Sequence, residues 1–453
     1  MKKLFFISVF LLINLTLFAQ DRNVAITVYN NNLAVVKDLR MLELKKGIFD
    51  LSYKNVASKI DPTSVHFKSI TAPDKVNILE QNYEYDLVST AKIAQKYLDK
   101  EISVYLKNDA ELKGKLISYE FDNLILQTAN GRIKSLSKSN IVDIDFPALP
   151  EGLITKPTLV WKIENGKAGN HKTEVSYMTS GMKWHTEYVA VAKENDKKLE
   201  LNAWVSIDNK SGATYPQAKL KLIAGDVHKV QQPRRRRDSE RMMLAAVAKA
   251  EPQFEEKEFF EYHMYTLNRK STLKNNQVKQ ISLFPATETN VKKVYTYEPR
   301  LDNKKIRVNL EFVNSKKAGL GMPLPAGKVR VYKEDPADNS LEFIGEDKLD
   351  HTPKNEKVKL FLGNAFDIKA ERSMINKKST SKRSHEETWQ IKIRNHKKTN
   401  VEVLVIEKFY GFWEIKESTL EYKKVDARTL HFLVSVPKDQ ESVLTYTISY
   451  PKR

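Results

Sequence analysis

The residues best spaced for chemistry are His185 and Glu187, two apart in Trp184-His185-Thr186-Glu187. On a β-strand that spacing puts both side chains on one face, because successive residues point to opposite sides. An imidazole beside a carboxylate can begin a metal site if a neighbouring strand adds a third ligand. The other histidines, from His66 to His431, make no His-Glu-x-x-His helix and no compact ligand cluster. The pair therefore reads first as a surface polar pair beside Trp184, and neither a metal nor a cofactor is expected. A glycosidase needs two carboxyl groups about 5–10 Å apart across a cleft. Glu187, Asp208, Asp226 and Glu346 are available for that role, and nothing in the sequence pairs them.

Nucleophilic catalysis has less to stand on. No Gly-x-Ser-x-Gly elbow occurs, and Ser180-Gly181 and Ser211-Gly212 read as turns. Cysteine is absent, which excludes disulfides, thiolate metal sites and cysteine nucleophiles. Gly319, Gly321 and Ala326-Gly327-Lys328 lack the spacing of a phosphate-binding loop and suit a Gly/Pro-rich loop before a strand.

Charge is the other lead. The formal net charge is +19, from 76 basic and 57 acidic residues. Arg234, Arg235, Arg236 and Arg237 are its densest run. Such a run can grip phosphates or sulfated and carboxylated glycans. It can equally be a solvated loop, partly neutralised by Glu255, Glu256, Glu258 and Glu261. Nucleic acid is not an expected partner. An RNA reader combines basic residues with exposed stacking aromatics, and residues 101–147 offer only Tyr105, Tyr119, Phe121 and Phe146.

The elements that must position these residues are strands. With 41% apolar and 29% charged residues in 453, the composition is that of a globular chain of several domains. Residues 21–84 alternate as a small antiparallel sheet, with Val24, Ile26 and Val28 on one face. Residues 85–100 fit a short connecting helix: Ala91, Ala94 and Leu98 fall at helical spacing after caps at Ser89 or Thr90. Five short strands with tight polar turns fill residues 101–147, a pattern resembling SH3-like or Sm-like barrels. Gly114 inside one of those strands marks a sharp bend. Residues 155–330 read as a β-sandwich carrying an exposed insertion at 228–260, and residues 331–453 as a second sandwich. The expected fold class is thus mainly β and multidomain.

The first twenty residues read as an address. Lys2 and Lys3 precede an apolar stretch from Leu4 to Leu17, which ends in Phe18-Ala19-Gln20. A positive start, a short apolar core and a small residue at a cut site make a secretory signal peptide. No later segment is long and apolar enough for a transmembrane helix of about 20 residues. In a Gram-negative cell the destination is the periplasm or the outer surface.

Three stretches carry a resemblance: Tyr177 to Tyr188, Trp204 to Tyr215 and Ala218 to Val227. Tyr262 to Leu267, Leu324 to Tyr332 and Ile344 to Asp347 support them. Together they resemble the domain-of-unknown-function family 4139, whose relatives include mucoidy-inhibitor-like proteins, over roughly residues 155–453. The resemblance implies a β-rich architecture and no established reaction, cofactor or catalytic set. Read physically, Trp184 and Trp204 are apolar payloads for a sheet face, and Asn209, Gly212 and Gly225 suit tight turns.

These features point to an exported envelope protein that binds an envelope protein, an acidic glycan or a lipid headgroup. No catalytic residue is assigned, and the expected binding surface comprises Trp184, His185, Glu187, Asp208 and Arg234 to Arg237. The alternative is a carbohydrate- or peptide-active hydrolase with a carboxylate-based site near Glu187 or Asp208.

Overall fold

The computed structural model describes residues 22–193, 196–225, 227, 253–381 and 384–450. Among them are thirty strands and a single α-helix, so the chain is mainly β. The leader and Arg234 to Arg237 lie outside the described residues, as does most of the 228–260 insertion.

A large sandwich holds the candidate site. One of its sheets runs, in spatial order, Phe254–Phe259, Tyr262–Leu267, Tyr215–Ala224, Asn23–Tyr29, Ala34–Leu44, Gly169–Thr179 and His66–Ser69, with Ser271–Leu273 attached to Tyr215–Ala224. The other runs Gln277–Asn290, Lys198–Asn209, Met182–Lys193, Gly327–Glu334 and Leu341–Leu349. Alternation from Met182 to Ala190 sends Trp184, Tyr188 and Ala190 into the shared core and His185, Glu187 and Val189 outward. Trp184 closes the two layers. Its ring meets Tyr265 edge-on at 6.1 Å, and its Nε1 donates to the Ile223 carbonyl at 3.0 Å. A third sheet, Gly47–Lys54, Thr158–Asn165 and Val76–Glu84, adds Tyr53 and Trp161 to the same core.

This pairing crosses the boundary expected between 21–84 and 155–330. Asn23–Tyr29 runs parallel to Tyr215–Ala224, and Gly47–Lys54 pairs with Thr158–Asn165 along its whole length. The boundary expected near 330 falls inside the strand Gly327–Glu334. Periodicity reports which face of a strand is wet; it carries no information about a partner far along the chain.

The expected connecting helix is Thr90–Lys96, capped by Ser89 Oγ, which accepts from the Lys92 amide. It buries Ala94 against the small module, whose core also takes Ile102, Val104, Leu116, Leu124 and Leu126. That module is a five-stranded sheet in the order Ile141–Asp145, Glu101–Leu106, Glu111–Tyr119, Asn123–Gln127, Ile133–Ser137. The expected barrel does not close. The turn Lys138–Asn140 sends the last strand to the opposite edge, and the two edge strands do not pair. Gly114 is required by close approach: a Cβ there would lie 2.6 Å from the Gln127 carbonyl oxygen.

The C-terminal module is one nine-stranded sheet folded back on itself. Its order is Glu414–Ser418, Gln440–Tyr450, Ser384–Asn395, Lys357–Ser381, Lys305–Val313, Lys292–Tyr297, Val401–Lys408, Thr429–Val436, Tyr422–Lys424. Glu407 and Tyr446 stand on strands well separated in that order, yet the Tyr446 hydroxyl donates to Glu407 at 2.7 Å. Phe432 and Tyr446 also stack at 5.4 Å, so the curled sheet supplies both layers of its own core.

Several strands end on a buried asparagine that ties the turn to its neighbours. Asn209 Nδ2 donates to the Ala213, Leu273 and Lys274 carbonyls, while its Oδ1 accepts from the Ser211 amide. Asn395 repeats the device on Thr399, Val436 and Pro437. Each satisfies backbone groups that a buried turn would otherwise leave unpaired.

Candidate functional site

The outward face of Met182–Lys193 and its neighbours carries the candidate site. Register aligns Glu187 with Trp204 on one side and with Lys328 on the other, and Arg330 with Glu346. His185 Nε2 lies 3.0 Å from Glu187 Oε1. Arg330 Nη1 donates to Glu187 Oε2 at 2.8 Å, and Arg330 Nε stands 3.6 Å from Glu346. Lys328 Nζ donates to the same Glu346 at 3.3 Å. The result is a lateral ladder of charges across three strands, with the half-buried Trp204 ring beside it.

The electrostatics fix the state of Glu187. Burial works upward on its pKa, but the hydrogen bond from His185 and the charges of Arg330, His185 and Lys328 outweigh it, leaving the carboxyl below its ordinary value. Glu187 is therefore an ionised, fully engaged acceptor near neutral pH, unable to serve as a proton donor. Asp208 projects from the same face by alternation, opposite Lys183, with Lys210 Nζ 3.6 Å away. Its Oδ1 is buried with no hydrogen-bond partner among the described residues.

The residues expected at the surface thus separate. His185, Glu187 and Asp208 share one face. Trp184 does not reach it, being 1% exposed on the opposite side of the same strand. The physical reason is the period of two, which cannot place adjacent residues on one face. Arg234 to Arg237 and Asp226 lie outside the described residues. Arg330 and Lys328 were missed by sequence reasoning. Their signal was the in–out pattern of Gly327–Glu334, where Val329 and Val331 are buried and Lys328, Arg330 and Tyr332 are not.

A second pair was also missed, though its spacing is identical. On Ser384–Asn395, His385 Nε2 lies 3.2 Å from Glu387 Oε1, and its ring stacks on Tyr450 at 4.9 Å. Lys377 Nζ donates to Glu387 at 3.0 Å, as does Trp389 Nε1 at 3.2 Å. Burial works upward on Glu387, yet those two bonds with the charges of Lys377 and His385 hold its pKa low. Behind Trp389 the Arg372 guanidinium sits 3.3 Å from the ring centroid and donates through Nε to Glu407 at 2.7 Å. Glu407 is only 1% exposed, and burial pushes its carboxyl up despite Arg372 and Tyr446. No group of three or more His, Asp or Glu among the described residues has the arrangement of a metal site.

The fold and this face define a multidomain β-sandwich protein with an organised polar surface. The family model described as Domain of unknown function (DUF4139) matches residues 173–409, more than half of the chain, and the protein belongs to that family. The match contains both His-x-Glu pairs, Trp204 and Arg330. No curated protein matches the chain.

Proposed function

We propose that the protein is an exported, non-enzymatic binding protein of the cell envelope, and that the face around Glu187, Arg330 and Trp204 contacts an acidic surface polymer. One observation carries the reading: Lys328 and Arg330 stand on the outward side of Gly327–Glu334, next to the strand of Glu187, which His185 and Arg330 hold ionised. That arrangement orders a polar surface and makes Glu187 a hydrogen-bond acceptor instead of an acid. Lys183, Lys328, Arg330 and Lys348 supply the cations of the face, and the net charge, +19 less the two of Lys2 and Lys3 in the leader, supplies long-range attraction. The half-buried Trp204 ring suits stacking against a sugar or other flat ligand.

The test is retention of the protein on an alginate column at low ionic strength. Retention should weaken as salt rises and should fall about tenfold or more for the Lys328→Glu, Arg330→Glu double variant. A protein that flows through, or a variant retained like the parent, sinks the proposal. The hydrolase alternative draws on the shared face of His185, Glu187 and Asp208. It needs a carboxyl raised into the proton-donating range, whereas Glu187 is shifted the other way. Release of shortened polymer by the parent but not by Glu187→Gln would reinstate it.

A further inference from the structure

Three loops meet at one end of the C-terminal sheet. They are residues 298–304, 409–413 and 425–428. Strand pairing brings them together: Tyr297 aligns with Val405, and Lys408 with Thr429. Backbone and side-chain bonds then lock them. The Phe409 amide donates to the Arg428 carbonyl at 2.8 Å, and Trp413 Nε1 to the Ala427 carbonyl at 2.9 Å.

The sequence Phe409-Tyr410-Gly411-Phe412-Trp413 divides its rings. Phe409 and Trp413 are buried, while Tyr410 is 61% and Phe412 53% exposed. Gly411, at φ +74°, turns the chain between them. Leu301 on the first loop is 61% exposed and Val425 on the third 48%. Cations stand over two rings of this segment. The Arg300 guanidinium lies 4.5 Å from the Tyr410 ring centroid and Arg428 5.8 Å from it, while Lys424 lies 4.4 Å from Trp413. The acids of the loops are turned to other work. Asp302 and Asp426 accept from backbone amides, and Glu298 pairs with Lys408.

Single exposed apolar residues are ordinary. Four on three adjoining loop tips, with Arg300 and Arg428 at Tyr410 and Lys424 at Trp413, match the chemistry of a bilayer interface. There aromatic and aliphatic side chains enter the headgroup layer, while cations on flexible stems meet lipid phosphates. We infer that this end of the C-terminal module docks on a membrane surface rich in anionic headgroups. The inference is independent of the polymer-binding face, which lies on another sheet.

The experiment is cosedimentation of the protein with vesicles of phosphatidylglycerol and phosphatidylcholine in equal parts, against phosphatidylcholine alone. Binding to the anionic vesicles should exceed that to neutral ones. It should fall about tenfold or more for Tyr410→Ser with Phe412→Ser, and comparably for Arg300→Ser with Arg428→Ser. Phe121→Ser, which removes a 94% exposed ring from the small module, should bind like the parent, as should the Lys328→Glu, Arg330→Glu variant. A folded Phe412→Trp variant gives a second readout, a blue shift of emission with anionic vesicles only. Absence of binding by the parent, loop variants that bind unchanged, or no shift in the Trp reporter would each overturn the inference.

Discussion

Two strands, Met182–Lys193 and Ser384–Asn395, each carry a histidine and a glutamate two residues apart, with imidazole and carboxylate 3.0 and 3.2 Å from one another. Against burial, which works upward on both, Glu187 is held below its ordinary pKa by His185 and then Arg330, and Glu387 by Lys377 and then Trp389. The surroundings then diverge. Glu187 connects sideways, through Arg330 to Glu346, and the ladder stays on the wet face of the sheet. Glu387 connects inward, through Trp389 and Arg372 to the buried Glu407 and Tyr446. A His-x-Glu spacing therefore sets which groups touch, while the neighbouring strands decide whether the contact faces a ligand or braces a core.

The contrast is sharpest at Glu407. Removing one partner of a buried charge pair leaves the other uncompensated. Glu407→Ala should cost about 3–5 kcal/mol of stability in chemical denaturation, because Arg372 would remain inside the curled sheet. Glu187→Ala, on the half-exposed ladder, should cost about 1 kcal/mol or less. Equal losses would mean that the two networks brace the fold alike.

Next in size is the effect on binding. Arg330→Ala should lower retention on an acidic polymer several-fold, about 1 kcal/mol of interaction. Lys377→Ala, the corresponding cation of the inward pair, should leave retention as it is. If the Lys377 variant loses as much, the charge of the whole molecule governs binding and the outward face has no special part.

The pH dependence separates the pairs by sign. Glu187 has a lowered folded pKa, so the folded state binds fewer protons. Its contribution to stability is present above the unfolded value of about 4.3 and is lost as pH falls through the folded one. Glu407 has a raised folded pKa, so its contribution is present below about 4.3 and fades as pH climbs toward the folded value. Unfolding measured from about pH 3 to 6 should show the parent gaining on Glu187→Gln and losing ground to Glu407→Gln. Movement of both differences in one direction would remove the distinction.

Much of this was legible from alternation alone. The strand Met182–Lys193, the shared face of His185 and Glu187, and the turn built by Asn209 all follow from period and residue type. The partners did not. Arg330 reaches Glu187 only because Gly327–Glu334 lies parallel to Met182–Lys193, and that pairing joins segments far apart in the chain. The same nonlocality hid the union of Asn23–Tyr29 with Tyr215–Ala224. Trp184 and Trp204 look alike as residue types, yet strand parity buries one and leaves the other on the face.

The smallest difference concerns the histidines themselves. His185 is a half-exposed partner of Glu187, and Arg330 would still hold that carboxylate after His185→Ala. His385 has its ring stacked on Tyr450 at 4.9 Å and its Nε2 on Glu387. His385→Ala thus loses ring packing as well as a hydrogen bond. Aromatic pairs add about 0.5–1.5 kcal/mol beyond burial, whereas an exposed ion pair gives about 0–1 kcal/mol. Thermal unfolding should therefore place His385→Ala below His185→Ala by a few degrees or less, and His385→Phe should recover most of the gap. A His185→Ala protein that melts lower would show that the outward ladder, and not the inward one, depends on its imidazole.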